Sequence, residues 1–203
     1  MLHTCAGISD HEYSWAIRFQ SWGYVVLVVD SLTPRGLDYI CDGRSGSPAP
    51  WLRALDAFGA RQYLSDMDGV DGSRIAIIGM SHGAMALLDA VRSSSVSDGQ
   101  LPAFQAAVGF YPLCGQPETI HTPTLVLIGE QDSWTPANQC QELADGVADE
   151  SKLSLKVFPG AHHLFDHPGI DMRELGHVIR SDESATAQSV IMTREFLKQH
   201  LDH

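Results

Sequence analysis

Positive charge, long apolar runs and closely spaced cysteines are all scarce in this 203-residue sequence. The 13 Lys and Arg residues face 25 Asp and Glu residues, which gives a formal net charge of −12. Nucleic acids and anionic membranes require basic patches, so this net charge argues against either of them as the main partner. No window approaches the ~18 uninterrupted apolar residues of a transmembrane helix. We therefore expect neither nucleic acid nor a membrane as a partner.

A secretion signal is also missing from the sequence as given. Its start, Met1-Leu2-His3-Thr4, has neither a basic segment nor the apolar segment of a signal peptide. We expect a cytoplasmic protein on this ground, and a secreted or periplasmic one if the natural start lies upstream.

Four cysteines in 203 residues are too few for a disulfide scaffold, and none of them forms a CxxC pair. This spacing does not support a zinc site or a thioredoxin-like site. Four ordinary thiols are the simpler interpretation. The even count, and the position of each cysteine near an expected loop or helix start, keep a bridge such as Cys114–Cys140 open, so the redox compartment is undecided.

The overall composition is that of a globular protein, with 44% hydrophobic and 19% charged residues. A chain of this length can bury about 70% of the surface that it exposes when unfolded. We therefore expect a single domain over residues 1–203.

Continuous apolar runs alternate with amphipathic stretches along the chain. Strands are expected at Tyr24–Val29, Arg74–Gly79, Phe104–Phe110, Thr124–Ile128 and Leu153–Phe158. Helices are expected at Glu12–Trp22, Trp51–Leu64, His82–Arg92, Ala137–Val147 and Ser184–Leu201. Continuous apolar strands indicate a sheet that is covered on both faces, which is typical of parallel sheets. The sequence thus predicts an α/β protein with a doubly wound, mostly parallel sheet.

One short motif suggests chemistry. The run Gly79-Met80-Ser81-His82-Gly83 matches G-x-S-x-G, and it lies between an expected strand and an expected helix. In that context the serine occupies a strained turn that projects its hydroxyl above the sheet, and the glycines avoid collisions. The pattern alone is weak, because a glycine-rich turn with a buried serine would match it too.

Together with further segments, the motif resembles the α/β-hydrolase fold and, more narrowly, the dienelactone hydrolase family. The resemblance covers most of the chain and includes His3–Gly7, Gly23–Asp30, Pro34–Gly36, Asp71–Gly83, Leu127–Asp132 and Phe158–Phe165. It implies that the oxyanion loop begins at His3. The expected sheet therefore has a shortened N-terminal edge, which fits either a minimal version of the fold or a natural start further upstream.

The resemblance implies a catalytic triad of Ser81, Asp132 and His163. This order, with gaps of 51 and 31 residues, is the order that the fold uses. Ser81 would be the nucleophile, His163 its base and Asp132 the partner of the base. The family places the base two residues before an aromatic residue, which favours His163 over His162. Glu130 is the rival of Asp132, which could also be a solvated turn acid.

Two backbone N–H groups should stabilise the oxyanion of the reaction. One is that of His82, which follows the nucleophile. The resemblance implies Cys5 for the other, although Cys5 could equally be a buried thiol without a catalytic part.

Three departures from the family bear on the substrate. Many members have cysteine as the nucleophile, so Ser81 looks more like that of a general esterase. Dienelactone hydrolases have a glutamate in the oxyanion loop, where this chain has Thr4. They also have an arginine shortly after the catalytic histidine, where this chain has Asp166 and His167.

Three other residues are candidates for substrate binding. Arg35 is a candidate clamp for a carboxylate, with a salt bridge that anchors its loop as the alternative. Trp134 and Tyr111 lie just beyond expected strand ends and are candidates for the lining of an apolar acyl pocket. Packing in the core or at the rim is the alternative for both.

We therefore expect a serine hydrolase that cleaves carboxylic esters or lactones through an acyl-enzyme intermediate, without a cofactor or a metal. A thioesterase or peptidase with the same triad, or a non-catalytic binding protein of this fold, are the alternatives. A binuclear zinc hydrolase is disfavoured, because Leu164 replaces the second histidine of H-x-H-x-D-H. The sequence leaves the oligomeric state open, homo-oligomers included.

Overall fold

A four-stranded parallel sheet forms the centre of the computed structural model, which describes residues 1–93, 96, 98–116 and 119–202. Its strands are β1 to β4, at Ala76–Met80, Ala106–Phe110, Thr124–Gly129 and Leu153–Phe158. Each strand lies beside the next one in the chain, in the order β1-β2-β3-β4. All the carboxyl ends therefore meet at one edge of the sheet, where ligands bind in open α/β sheets.

Burial explains why these strands are apolar without alternation. Every residue of β2 and β3 is buried, whereas β4 at the side of the sheet is buried only at its two ends. The helix after β1 packs on β1 and β2, and the C-terminal helix packs on β2 and β3. The predicted α/β class and the mostly parallel sheet are thus confirmed.

Five helices of ten or more residues lie in the described part of the chain. They are α1 to α5, at Asp10–Ser21, Pro50–Ser65, His82–Arg92, Ala137–Gly146 and Glu183–Leu201. α1 begins two residues before the expected start, because Ser9 and Glu12 form a capping box around its first turn. Within the described residues, no helix combines the length and the apolarity that crossing a membrane requires.

The expected strand at Tyr24–Val29 is a wrong prediction. In this segment the described backbone forms one isolated bridge, between Val29 and Leu2. Leu2 also bridges to Gly79 and therefore lies between this segment and β1. Because only Met1 and Leu2 pair with it, the segment lacks the continuous ladder of hydrogen bonds that defines a strand.

An antiparallel hairpin was missed by the sequence analysis. It consists of β5 (Asp171–Glu174) and β6 (His177–Arg180), joined by Leu175 and Gly176, which both have positive φ. Only Ile179 of its two strands is buried, so the sequence shows no clear apolar alternation there.

Two disulfides cross-link the chain, Cys5–Cys41 and Cys114–Cys140. The expectation of four ordinary thiols is wrong, and the bridge that was kept open between Cys114 and Cys140 is present. Cys5–Cys41 could not be foreseen, because its partners come together only through the packing of the loop before α2 on the loop before α1.

Candidate active site

The G-x-S-x-G turn, Gly79 to Gly83, lies at the carboxyl end of β1. Ser81 has φ 51° and ψ −117° and directly precedes α3, so its backbone is in a region that side chains disfavour. A Cβ at Gly79 would lie 2.4 Å from the carbonyl oxygen of Gly83, and one at Gly83 would lie 2.5 Å from that of His3. Gly79 is therefore required by the close approach of β1 to α3, and Gly83 by the close approach of α3 to the Leu2–His3 segment.

The structure brings Ser81, His163 and Asp132 together, all of them buried. His163 follows β4, and its Nε2 atom lies 3.1 Å from Ser81 Oγ. Its Nδ1 atom lies 2.7 Å from Asp132 Oδ2, after β3. A carboxylate accepts hydrogen bonds, so Nδ1 carries the proton of the neutral ring and Nε2 presents its lone pair to the serine.

Backbone donors fix the Asp132 carboxylate. Its Oδ1 atom accepts from the N–H groups of Trp134 and Thr135, at 2.9 Å each. The Thr135 hydroxyl lies 2.9 Å from Oδ2. This turn holds the second carboxylate oxygen toward His163 before any substrate binds.

His162 and Glu130, the alternatives to His163 and Asp132, form their hydrogen bonds away from Ser81. His162 Nδ1 lies 3.1 Å from the carbonyl oxygen of Gln131, and the Glu130 carboxylate accepts from Gly160 N–H at 3.0 Å. Neither has a hydrogen bond to Ser81 among the described residues.

The two predicted oxyanion donors lie on segments that pack against each other. The start of α3, with His82, packs against the segment of Leu2 and His3, and Gly83 leaves the space for this close approach. In the described part of the chain, neither Cys5 N–H nor His82 N–H donates a hydrogen bond. The disulfide to Cys41 excludes a free thiol at Cys5.

A buried carboxylate that the sequence analysis missed orders the loop before α1. Glu12 accepts from Thr4 N–H at 3.3 Å and from Ser9, through its N–H at 2.8 Å and its hydroxyl at 2.6 Å. The S-x-x-E spacing of Ser9 and Glu12 was the signal that could have identified it.

Trp134 lies at the site, and Tyr111 lies behind it. The half-buried Trp134 ring stacks on His177 of β6 at 5.1 Å and lies 5.4 Å from the His163 ring. Tyr111 is 0% exposed and packs edge-on against His163 at 4.7 Å. A fully buried ring offers no surface to a substrate, so the prediction that Tyr111 lines an acyl pocket is wrong.

Arg35 is engaged in an ion pair. Its guanidinium binds both carboxylate oxygens of Asp56 at 2.8 Å and donates to the carbonyl oxygen of Ser31 at 2.6 Å. The structure thus gives Arg35 the alternative role, that of anchoring its loop to α2.

A second histidine–aspartate pair lies beneath the site. The buried Asp166 accepts from Trp15 Nε1 at 2.7 Å and lies 3.3 Å from His11 Nε2. Burial alone would lower the pKa of His11, but the hydrogen bond and charge of Asp166 outweigh burial and raise that pKa. Burial would raise the pKa of Asp166, and the contacts with His11 and Trp15 lower it instead. Both shifts favour a charged pair.

The β5–β6 hairpin borders the site. Ile179 forms a bridge with His163, and His177 stacks on Trp134. The Tyr39 hydroxyl donates to the carboxylate of Glu174, and this hydrogen bond together with burial raises the pKa of Tyr39 to about 12. The hairpin is therefore connected to the loop that carries Cys41.

One family model matches almost the whole chain. The model of the "Dienelactone hydrolase family" matches residues 1–201. Two relatives, both described as uncharacterized proteins of Mycobacterium tuberculosis (strains CDC 1551 / Oshkosh and H37Rv), are 28% identical over 200 residues. The matched region spans 90% of this chain and 68% of each relative.

Solved structures show the same fold at low identity. A dienelactone hydrolase-like promiscuous phosphotriesterase, P91 from metagenomic libraries, superposes with a TM-score of 0.79 at 20% identity, covering 98% of this chain and 84% of its own. A putative dienelactone hydrolase from Klebsiella pneumoniae superposes with a TM-score of 0.78 at 16% identity, covering 98% of this chain and 85% of its own. The α/β hydrolase MGS-M1 from a deep-sea metagenome superposes with a TM-score of 0.70 at 18% identity, covering 100% of this chain and 84% of its own. The α/β-hydrolase fold expected from the sequence is confirmed.

Proposed function

The chain belongs to the dienelactone hydrolase family, and from that premise we propose that it is a serine hydrolase that cleaves carboxylic esters or lactones through an acyl-enzyme intermediate. The observation that carries the proposal is the continuous hydrogen-bonded series from Asp132 through His163 to Ser81. All four cysteines are paired in disulfides, so no thiol competes with Ser81 as the nucleophile.

In the acylation step, Ser81 Oγ attacks the ester carbonyl while His163 Nε2 takes the hydroxyl proton. The negative charge that develops on the carbonyl oxygen is stabilised by the N–H groups of Cys5 and His82. The charge that forms on the imidazole is stabilised by Asp132. His163 then gives its proton to the departing alkoxide, and the acyl group stays on Ser81.

In the deacylation step, a water molecule replaces the alcohol. His163 removes a proton from the water, which attacks the acyl carbonyl, and the same two N–H groups stabilise the second oxyanion. Collapse of this intermediate breaks the bond to Ser81 Oγ and releases the acid. The proton returns from His163 to Ser81, so the enzyme is regenerated.

The substrate class is argued from what surrounds the triad. Trp134 and His177 present aromatic surface at the site. Arg35, the candidate clamp, is already paired with Asp56. This environment favours uncharged esters over the carboxylate-bearing dienelactone. The phosphotriesterase named among the structural neighbours makes a phosphotriester a useful second probe.

The test is a substrate panel combined with labelling of the nucleophile. p-Nitrophenyl esters of increasing acyl length, simple lactones, a thioester, a peptide amide and a phosphotriester are assayed on the wild type. A fluorophosphonate probe is expected to label Ser81. Ser81→Ala and His163→Ala should each lower kcat by about 10⁶-fold. Asp132→Asn should lower kcat by about 10⁴-fold, because the asparagine keeps the ring in place but no longer holds the tautomer that accepts the serine proton.

His162→Ala is the matched control, since it removes the neighbouring imidazole and should retain the wild-type rate. Retained activity in His163→Ala together with loss in His162→Ala would reverse the choice of base. A wild type that hydrolyses nothing in the panel and is not labelled would instead support a non-catalytic binding protein.

A further inference from the structure

A buried arginine lies behind the candidate oxyanion hole. Arg53, on α2, is 0% exposed. Its Nη2 atom donates to the carbonyl oxygen of His3 at 2.7 Å, and its Nη1 atom donates to His82 Nδ1 at 2.9 Å. These partners belong to the two segments that carry the oxyanion donors, because His82 supplies one N–H group and Cys5 follows His3 by two residues.

The charge of Arg53 is costly where it lies. Among the described residues it forms no ion pair with a carboxylate, and its Nε atom has no hydrogen-bond partner. Burial lowers the pKa of Arg53 to about 10, so the guanidinium remains charged at neutral pH. A buried, unpaired cation destabilises a fold. Two hydrogen bonds, both to the segments that carry the candidate oxyanion donors, hold the guanidinium there.

Both histidines that contact this network are held neutral. Burial, followed by the charge of Arg53, lowers the pKa of His3 and of His82 to about 4. A guanidinium can only donate, so His82 Nδ1 is an acceptor. His3 Nε2 accepts from Ser31 N–H at 3.2 Å, which places the ring proton on Nδ1, 2.7 Å from the carbonyl oxygen of Thr4.

That last hydrogen bond reaches the oxyanion hole itself. The Thr4 carbonyl and the Cys5 N–H belong to one planar peptide group, so fixing the oxygen fixes the direction of the N–H. His3 fixes this oxygen through its ring, and Arg53 holds the carbonyl oxygen of His3. The same guanidinium holds the imidazole of His82 on the nucleophile side.

We propose that Arg53 is a positioning residue that joins the two halves of the oxyanion hole and fixes the spacing between Cys5 N–H and His82 N–H. The inference rests on the proposed function. Arg53 does not touch the substrate and acts through His3 and His82.

α2 offers a matched control two turns further along. Arg61 is also buried, and its guanidinium also donates to two backbone carbonyls, those of Ala103 at 3.1 Å and Gly72 at 3.2 Å. These partners do not belong to the triad or to the oxyanion segments. Arg53→Met and Arg61→Met therefore remove the same group from the same helix, with and without a connection to the site.

The experiment compares kcat, KM and the rate of fluorophosphonate labelling in Arg53→Met, Arg53→Lys and Arg61→Met. Arg53→Met should lower kcat about 10- to 100-fold with little change in KM, because misplaced donors weaken the binding of the transition state and not of the substrate. Labelling should slow in parallel. Arg53→Lys should lower kcat less than Arg53→Met does, since an ammonium keeps the charge and can reach one of the two acceptors. Arg61→Met should lower only the unfolding midpoint.

Equal kcat in Arg53→Met and Arg61→Met would overturn the inference. If Arg53→Met does not fold, an Arg53→Lys variant with wild-type kcat would overturn it as well. An inactive wild type would contradict the proposed function and not this inference. In that case the backbone amide ¹⁵N and ¹H chemical shifts of Cys5 and His82 test the inference. They should change in Arg53→Lys and keep their wild-type values in Arg61→Met. Unchanged shifts in Arg53→Lys would contradict the positioning role.

Discussion

Gly83, the second residue of α3, has no space for a side chain. A Cβ there would lie 2.5 Å from the backbone carbonyl oxygens of both Leu2 and His3. Backbone atoms cannot rotate away as the end of a flexible side chain can. Gly83→Ala should therefore lower the free energy of unfolding by about 1–3 kcal/mol, as overpacking does. It should also lower kcat, because it displaces the segment that leads to Cys5.

Gly59 is the control for this substitution. It lies on the exposed side of α2, and a Cβ there would meet nothing within 4 Å. Gly59→Ala should raise the free energy of unfolding by about 0.5–1 kcal/mol, the usual gain for alanine in a helix. Urea titrations and ester assays on both variants provide the measurement. A Gly83→Ala protein with wild-type stability would show that the Leu2–His3 segment moves aside at little cost in free energy.

The His11–Asp166 pair predicts a dependence of stability on pH. The pKa of His11 is raised, so its contribution is fully present below about pH 6.5 and is lost as the pH rises through the folded-state value. The pKa of Asp166 is lowered, so its contribution is present above about pH 3.9 and is lost as the pH falls through the folded-state value. The pair therefore stabilises the fold most at mildly acidic pH.

Asp166→Asn should accordingly cost more free energy of unfolding at about pH 5.5 than at about pH 8.5, because the contribution of His11 declines as the pH rises above its unfolded-state pKa of about 6.5. Guanidinium titrations at the two pH values measure the difference. Asp71→Asn is the control, because the exposed Asp71 has its pKa lowered to about 2, mainly by its hydrogen bonds to Ser73 and Arg74, and stays ionised at both. An equal cost for Asp166→Asn at both pH values would mean that His11 is neutral throughout.

At the scale of elements, the Cys5–Cys41 disulfide ties the candidate oxyanion loop to the loop before α2. A bridge across 36 residues restricts the unfolded chain enough to stabilise the fold by about 3–4 kcal/mol. The double variant Cys5→Ala/Cys41→Ala, or treatment with a dithiol, should lower both the unfolding midpoint and kcat. The loss of kcat follows because the Cys5 N–H group is then less firmly placed.

The other disulfide serves as the comparison. Cys114→Ala/Cys140→Ala opens a bridge of similar span, 26 residues, which does not involve the oxyanion loop. It should lose stability to a similar extent and keep its kcat. Thiol counts, thermal unfolding and ester assays distinguish the two variants. Unchanged kcat in Cys5→Ala/Cys41→Ala would show that the loop keeps its conformation without the bridge.

Elements with a local signal could be predicted, and elements that depend on partners could not. The strands β1 to β4 and all five helices were expected within a few residues, because their apolar patterns are continuous or periodic. The segment Tyr24–Val29 has the same pattern but too few backbone partners for a ladder. The β5–β6 hairpin has partners but little apolar pattern.

At the scale of the whole molecule, the residues of the site also divide into those with a local sequence signal and those that depend on distant partners. Ser81, Asp132 and His163 follow strands and lie in recognisable motifs, and the structure brings these three predicted residues together. Arg53 carries no motif, and the partners of Asp166 come from residues as distant as Trp15, 151 positions earlier. Such residues are identified only after the packing is known.

One guanidinium shared by two segments also has an evolutionary consequence. Arg53 contacts a side chain at position 82 and a backbone oxygen at position 3, so neither segment can drift without affecting the other. A replacement of His82 that cannot accept a hydrogen bond would leave a buried donor unpaired and would favour a compensating change at position 53. Positions 53 and 82 should therefore vary as a pair in descendants of this protein, and a library that randomises both together should yield more active variants than libraries of either position alone.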